Sequence, residues 1–386
     1  MDEPRNNRAG HCEQQPEGHF AFIPKPPPSS LEVNSKIMNH LCDTERILGR
    51  VMGYVDNLED PSRFGHIALY KEAALSAQLE GFQVSIADLL SYKLDGPRAP
   101  GLCSSPGQVV AALNYANTID NLLPAVADSG LSSLVLQRAH GELYHGIKGR
   151  DKDPLTFRNS EIWIGPSGAT PKDAPFVPPP FTLIPQLMQD LEIYVQQNTK
   201  HPKLLIAALT YYQLETVHPF VDGNGRLARM AALFLLSREG GLWLRFISLA
   251  SVFGRDSLSH FGMLQKVRIN GDWESWIEYF LSSVCEAAGE SMKMLASIIE
   301  IRSVHRALVR GMLGGTSGPG LALLDYLFQQ PLVSVSATVN VTGRTFANTN
   351  KLITHFQELG LLTEVTGRRR NRRFCYEPFL NLFMPK

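Results

Sequence analysis

Cysteine is scarce in this chain of 386 residues, and Cys12, Cys42, Cys103, Cys285 and Cys375 stand far apart with no Cys-x-x-Cys pair. An odd, scattered set argues against a disulfide framework and a cysteine zinc site, and it fits a reducing cytoplasm. No apolar run is long enough to span a bilayer, so no membrane partner is expected. Residues 1–30 are polar and rich in proline, without the apolar centre of a signal peptide. Charge of either sign is not in excess, because 37 basic residues meet 37 acidic ones. The molecule as a whole is therefore no electrostatic magnet for nucleic acid or a membrane surface. What remains is a chain long enough to bury a large core in two or three domains.

Against that plain background one stretch is dense in chemistry: His218-Pro219-Phe220-Val221-Asp222-Gly223-Asn224-Gly225-Arg226-Leu227-Ala228-Arg229. Gly223 and Gly225 allow a tight turn and a close approach to a ligand. A helix starting near Gly225 would point free N–H groups and a positive dipole end at that ligand, which makes an anion site. Arg226 and Arg229, three apart, share one helix face, and guanidinium groups suit bidentate phosphate contacts. His218 stands just before the turn with a pKa suited to general base work. Asp222 can hold the magnesium that accompanies a nucleotide. Gly223-x-Gly225-x-x-Ala228 also fits a loose dinucleotide fingerprint, but that needs a preceding strand. The run 204–216 reads as a helix instead, with Pro202 at its start and Leu205, Ala208, Leu209 and Tyr212 at helical spacing.

The twelve residues resemble the signature of the Fic family, His-x-Phe-x-(Asp/Glu)-Gly-Asn-Gly-Arg-x-x-Arg, at every fixed position. The resemblance implies a protein adenylyltransferase, which moves AMP from ATP onto a Ser, Thr or Tyr hydroxyl of a target protein and of itself. In that reading Gly223, Asn224, Gly225, Arg226 and Arg229 bind the nucleotide, the Asn224 side chain and nearby N–H groups hold phosphate oxygens, Asp222 holds Mg2+, and His218 is the base. The complete Gly-Asn-Gly sets the chain apart from kinase-like relatives in which this part is altered.

Upstream, Ser76-Ala77-Gln78-Leu79-Glu80-Gly81 is similar to the family's inhibitory motif, (Ser/Thr)-x-x-x-Glu-(Gly/Asn). Residues 66–81 read as a helix with Gly81 placed to end it, and Ser76 and Glu80 lie on one face. The resemblance implies that Glu80 pairs with Arg229, so that ATP settles with its α-phosphate misaligned for in-line attack. Residues 155–180, with Arg-Asn-Ser-x-x-Trp-Ile-Gly and later Phe-Val-Pro-Pro-Pro, look like the family's hairpin flap, whose open edge could add a strand to an extended target segment. In the place of the Tyr-Tyr pair of many relatives stands His260-Phe261, which leaves Phe261 as an adenine platform without the hydroxyl.

The remainder reads as mostly helical. Residues 1–30 begin as a flexible arm, and Ser29 and Ser30 cap a helix from about 31 to 54. Helices follow near 108–118, 131–144, 184–197, 230–236, 258–269 and 286–313, with turns at 149–154, 240–241 and 270–271. Asp272-Trp273-Glu274-Ser275-Trp276-Ile277 resembles the segment that closes the Fic domain. After a glycine-rich linker at 314–320 the pattern 321–329, 333–339, 345–359, with strands 361–365 and 373–376, resembles a winged helix-turn-helix, with 368–373 in the wing. The fold expected is mainly α, a Fic helical core with a β-hairpin flap plus that C-terminal domain. Its boundaries are 1–110 for a segment carrying the inhibitory helix 66–81, 111–313 for the catalytic domain, and 319–386 for the winged helix. The expected partners are target proteins along 155–180, DNA through the winged helix, and a second copy, since relatives often dimerise. Two further readings stay open: a DNA-binding regulator whose core senses a nucleotide, and removal of AMP with Glu80 positioning the water.

Overall fold

Helix α7 (Lys203–Val217) is buried along its whole length from Leu204 onward, and the rest of the chain is arranged around it. A helix apolar on every side belongs in the middle of a domain. In the computed structural model, which describes residues 7–99, 102–147, 155–198, 200–237, 241–313 and 317–384, the elements run as follows. A hairpin, β1 (Gly10–Gln14) and β2 (Phe20–Pro24), leads to α1 (Ser35–Asp56), α2 (Pro61–Gln78), α3 (Ile86–Asp95), α4 (Pro106–Ser129), α5 (Ser133–Leu143) and α6 (Ile184–Gln197). After α7 come α8 (Asn224–Leu236), α9 (Leu249–Arg255), α10 (Ser257–Asn270) and α11 (Trp273–Leu313). The C-terminal elements are α12 (Ser317–Leu327), β3 (Leu332–Val333), α13 (Val335–Thr342), α14 (Phe346–Glu358), β4 (Thr363–Glu364), β5 (Phe374–Cys375) and α15 (Glu377–Leu380). β5 lies between β3 and β4, antiparallel to both. Among the described residues no helix is long and apolar enough to cross a membrane.

Aromatics from α11 clamp α7. Trp276 stacks on Tyr211 (5.7 Å) and donates its indole N–H to the Ala208 carbonyl (2.9 Å), while Trp273 meets Tyr212 edge-on (4.6 Å). These rings bury a large apolar area and find a partner for the buried indole of Trp276, which fixes the helix that carries His218 at its end. The other anchor lies at the far end of α2. Phe64 is fully buried between Phe328 (5.2 Å) and Phe379 (6.4 Å) of the C-terminal module, and Arg63 faces Asp325 (3.5 Å).

Several elements depart from expectation. Residues 10–24 are a hairpin and no flexible arm; a side chain at Gly10 would collide with Phe22, and Ala9, Ala21 and Phe22 are buried. Asn34, whose side chain accepts the Ile37 N–H (2.8 Å), caps α1 in place of Ser29 or Ser30. The inhibitory segment is helical over Pro61–Gln78, so Glu80 sits in the turn beyond the helix, with Gly81 left-handed at φ 84°. The flap 155–180 has one antiparallel bridge, Ile164 with Phe176, and no continuous strand. α11 runs unbroken from Trp273, since nothing in its sequence stops it. The 110/111 boundary falls inside α4, and α12 already begins at Ser317, inside the expected linker. The turn at 149–154, Gly240 and the linker residues 314–316 lie outside the described residues.

Candidate active site

The loop from His218 to Gly223 joins two buried helices, and its own polar groups hold it shut. His218 ends α7 in the left-handed region at φ 50°, ψ 62°, a conformation that costs a non-glycine residue about 1–2 kcal/mol. Gly223, at φ 78°, precedes α8; a side chain there would meet the Tyr144 hydroxyl at 2.7 Å. Phe220 is fully buried, stacked on His140 (3.8 Å, 8°), whose Nε2 meets the Asp222 carbonyl (3.0 Å). The Asn224 side chain does not face outward to a phosphate, as the resemblance implied. Its Oδ1 accepts the Phe220 N–H (2.9 Å) and its Nδ2 donates to the Phe220 carbonyl (2.8 Å). Those buried backbone groups need partners, and Asn224 supplies both. Its contribution to an anion site is therefore the backbone N–H at the helix start.

That anion site contains a carboxylate of the chain itself. The Arg226 backbone N–H donates to Glu80 Oε1 (2.7 Å), and its Nε donates to Oε2 (2.6 Å). Arg229 reaches Oε1 through Nη2 at 3.2 Å, and it also donates from Nε to the Ser76 hydroxyl (2.7 Å) and from Nη2 to the Ser76 carbonyl (2.9 Å). Glu80 thus joins both arginines, and its shorter contacts are to Arg226 because the carboxylate sits on the first turn of α8. The two guanidinium side chains are 0% and 4% exposed, against 18% for Glu80. Burial works against both charges, yet Glu80 and the neighbouring tyrosines outweigh it, and both arginine pKa values are raised. A side chain at Gly225 would meet Glu80 Oε1 at 3.1 Å, which explains the absence of one.

His218 is half-buried as a residue, and its Nδ1 is sealed from solvent. Burial, with the Arg158 and Arg268 charges, pushes its pKa down to about 3, so the ring is neutral at physiological pH. Asp222 is half-buried beside Gly223, whose N–H it accepts (2.8 Å). A carboxylate next to a polyphosphate site suits Mg2+, which is commonly held by one or two carboxylates together with substrate oxygens. Phe261 is 49% exposed on α10 and lines a groove of 780 Å³ together with Leu75 and Leu79 of the α2 end and Gly254. His260, its neighbour, is buried against Phe253 (4.2 Å) and bonded to Tyr211 (2.9 Å).

Other residues shape the site without having been singled out. Arg158, from the flap segment, is buried and donates to the carbonyls of His218 (2.9 Å), Ser160 (2.9 Å) and Pro179 (2.6 Å). Tyr144 accepts from Arg226 Nη2 (2.9 Å), and Phe82 lies under the same guanidinium (5.2 Å). Arg268 stacks on Phe176 of the flap (3.6 Å) and reaches the Glu215 carbonyl (3.2 Å). Glu72 is fully buried, accepts from Tyr115 (3.1 Å), Ser248 (2.8 Å) and the Ala250 N–H (3.0 Å), and has its pKa raised by burial. Of these, Arg158 and Glu72 stood in segments with a motif.

Comparison with known proteins finds likeness along two stretches of the chain. Residues 130–236 match the Fic/DOC family, and residues 38–121 match the Fic/DOC family N-terminal region. The protein adenylyltransferase Fic of Drosophila grimshawi is 35% identical over 105 residues, 26% of this chain and 20% of that protein. Its counterpart in Drosophila mojavensis is 35% identical over 105 residues, 26% of this chain and 19% of that protein. The chain thus spans about a fifth of the length of these curated relatives. A Fic family protein from Desulfovibrio desulfuricans G20 shares the fold with a TM-score of 0.58 at 19% identity, covering 91% of this chain and 98% of that one. A Fic domain containing signaling protein from Bacteroides thetaiotaomicron VPI-5482 does so with a TM-score of 0.51 at 15% identity, covering 68% and 97%.

Proposed function

Because the chain carries a Fic domain and its N-terminal companion, we propose that it transfers AMP from ATP to a hydroxyl of a target protein and is held off at rest by Glu80. The observation that carries this reading is the Glu80 carboxylate seated on the first turn of α8 between Arg226 and Arg229. A site that binds the chain's own carboxylate so closely is a site for anions.

In the active form the triphosphate replaces that carboxylate. The N–H groups of the first turn and Arg226 and Arg229 then grip the phosphates and set the α-phosphorus in line. Asp222 would hold Mg2+, which when bound offsets phosphate charge. The neutral His218 imidazole takes the proton of a Ser, Thr or Tyr hydroxyl, and that oxygen bonds to the α-phosphorus. The bond from the α-phosphorus to the bridging oxygen breaks, and pyrophosphate leaves. The nucleotide's negative charge next to His218 raises its proton affinity from the low resting value. An extended segment of the target lies along 155–180, and Arg158 keeps that segment in register with the His218 loop.

Labelling with radioactive ATP and magnesium tests both halves. Glu80→Gly should label itself at least tenfold more than wild type, and His218→Ala introduced into Glu80→Gly should abolish labelling. Equal labelling of Glu80→Gly and wild type would sink the inhibition. Undiminished labelling of the double variant would sink the base.

A further inference from the structure

The C-terminal module concentrates a charge that the whole chain lacks. Residues 343–373 hold seven arginines and lysines against two carboxylates, in a chain whose net charge is zero. The fold ties part of this basic run to α14, through Arg372 and Asn350. α13 and α14 are joined by the short turn 343–345, with Gly343 left-handed at φ 62° and Thr345 capping α14. α14 buries Thr349, Leu352, Ile353 and Phe356 and leaves Asn348, Lys351, Thr354 and His355 exposed. Its first three turns contain no carboxylate, and Glu358 at its end faces His355 (3.1 Å).

The strands β4 and β5 carry the rest of the charge to a tip beside α14. Gly367 and Asn371, both left-handed (φ 62° and 53°), turn the chain so that Arg368, Arg369 and Arg370 stand exposed. Arg372 lies across the Phe374 ring (5.1 Å) and donates to Asn350 of α14 (2.9 Å), which fixes this tip beside the helix. Arg373 pairs with Asp95 (2.7 Å). The end of the basic run is thus tied down, while the three central arginines form no ion pair among the described residues.

We propose that α14 and the 368–370 tip form a surface for double-stranded DNA, with α14 in the major groove and the tip on the flanking phosphates. The B-form major groove admits a helix whose exposed side chains are donors, and Asn and Lys are groups that read base edges. Exposed arginines beside that helix meet the backbone and release counterions. A protein-docking face would present an apolar patch at its centre; here the one exposed large apolar side chain of α14 is Phe346, at the helix start. A-form RNA has a major groove too narrow for a helix, which favours DNA over duplex RNA.

Fluorescence anisotropy of the full chain with a short labelled duplex, over a range of KCl concentrations, tests this. Wild type should bind with an affinity that falls linearly in a log–log plot against salt. The triple variant Arg368→Ala, Arg369→Ala, Arg370→Ala should flatten that slope by about 2–3, at roughly 0.9 for each phosphate no longer neutralised. Asn348→Ala should weaken binding with little change in slope. All of these side chains are exposed, so melting temperatures should match wild type and confirm folding. Absence of duplex binding at low salt would overturn the proposal. So would an unchanged slope in the triple variant, or equal affinity for a single-stranded oligonucleotide.

Discussion

Replacing Glu80 by Gln keeps the side chain's shape and removes its charge, which isolates the electrostatic part of the latch. Glu80 meets Arg226 through Nε (2.6 Å) and the backbone N–H (2.7 Å), and Arg229 at 3.2 Å. Removing one partner of a buried ion pair costs about 3–5 kcal/mol, and because Glu80 keeps some exposure to solvent the lower end, about 3 kcal/mol, is the fitting figure. Arg229 retains its bonds to Ser76, which also argues for the lower end. The same free energy appears twice. Without nucleotide, Glu80→Gln should unfold about 3 kcal/mol more easily than wild type. On the proposed reading nucleotide displaces the carboxylate in either protein, so the variant should bind ATP roughly a hundredfold more tightly. Urea denaturation measures the first quantity. Titration calorimetry with an ATP analogue that cannot be cleaved between the α- and β-phosphates measures the second. A variant that loses stability but binds the analogue no better than wild type would refute the reasoning, since Glu80 would then stay in place with nucleotide bound.

Two further outcomes follow from the same geometry. His260 is buried, and burial together with the Arg229 and Arg268 charges pushes its pKa down to about 3. A histidine with a depressed folded-state pKa stabilises the fold fully above its unfolded value, and that contribution is lost as pH falls from about 6.5 toward 3. The stability gap between wild type and His260→Phe should shift against wild type by about 1.4 kcal/mol per pH unit in that window, read from urea midpoints between pH 7 and 5. The comparison matters because Glu72 and Glu215, raised by burial, act with the opposite sign above their ordinary pKa and are common to both proteins. A constant gap would show that His260 titrates as if exposed. Second, Arg158→Ala removes the donor shared by three backbone carbonyls, which should cost about 3 kcal/mol and free the flap from the His218 loop. Hydrogen exchange should accelerate across 158–180; unchanged protection there would mean that the flap is held by other contacts.

Much of the site was legible because its chemistry is local. The loop 218–229 places a histidine, a carboxylate, two glycines and two arginines within a few turns, and the helix begins at Asn224, one residue before the expected Gly225. Glu80 was legible as a motif, but its preference for Arg226 was not, because that pairing depends on where α8 presents its first N–H. Tyr144, Phe82 and Arg268 could not be read at all. Each reaches the site from a distant part of the chain, and no spacing encodes such a meeting. α7 was legible as a helix over 204–216, but its central place was not, because a helix buried all round lacks the stripe that marks which face turns inward. The hairpin at 10–24 was hidden because its strands are short and sit among prolines and polar residues.

α2 ties two of these regions together mechanically. Phe64 near its start is clamped by Phe328 and Phe379, and the turn at its end delivers Glu80 to the arginines. Its eighteen residues make a rod of about 27 Å at 1.5 Å per residue. A helix this well buried transmits a displacement at one end to the other instead of absorbing it. Any ligand of the C-terminal module that binds the latched and unlatched forms unequally therefore biases the latch by that difference in affinity and no more. Nucleotide at the arginines must then change the module's affinity for that ligand by the same factor.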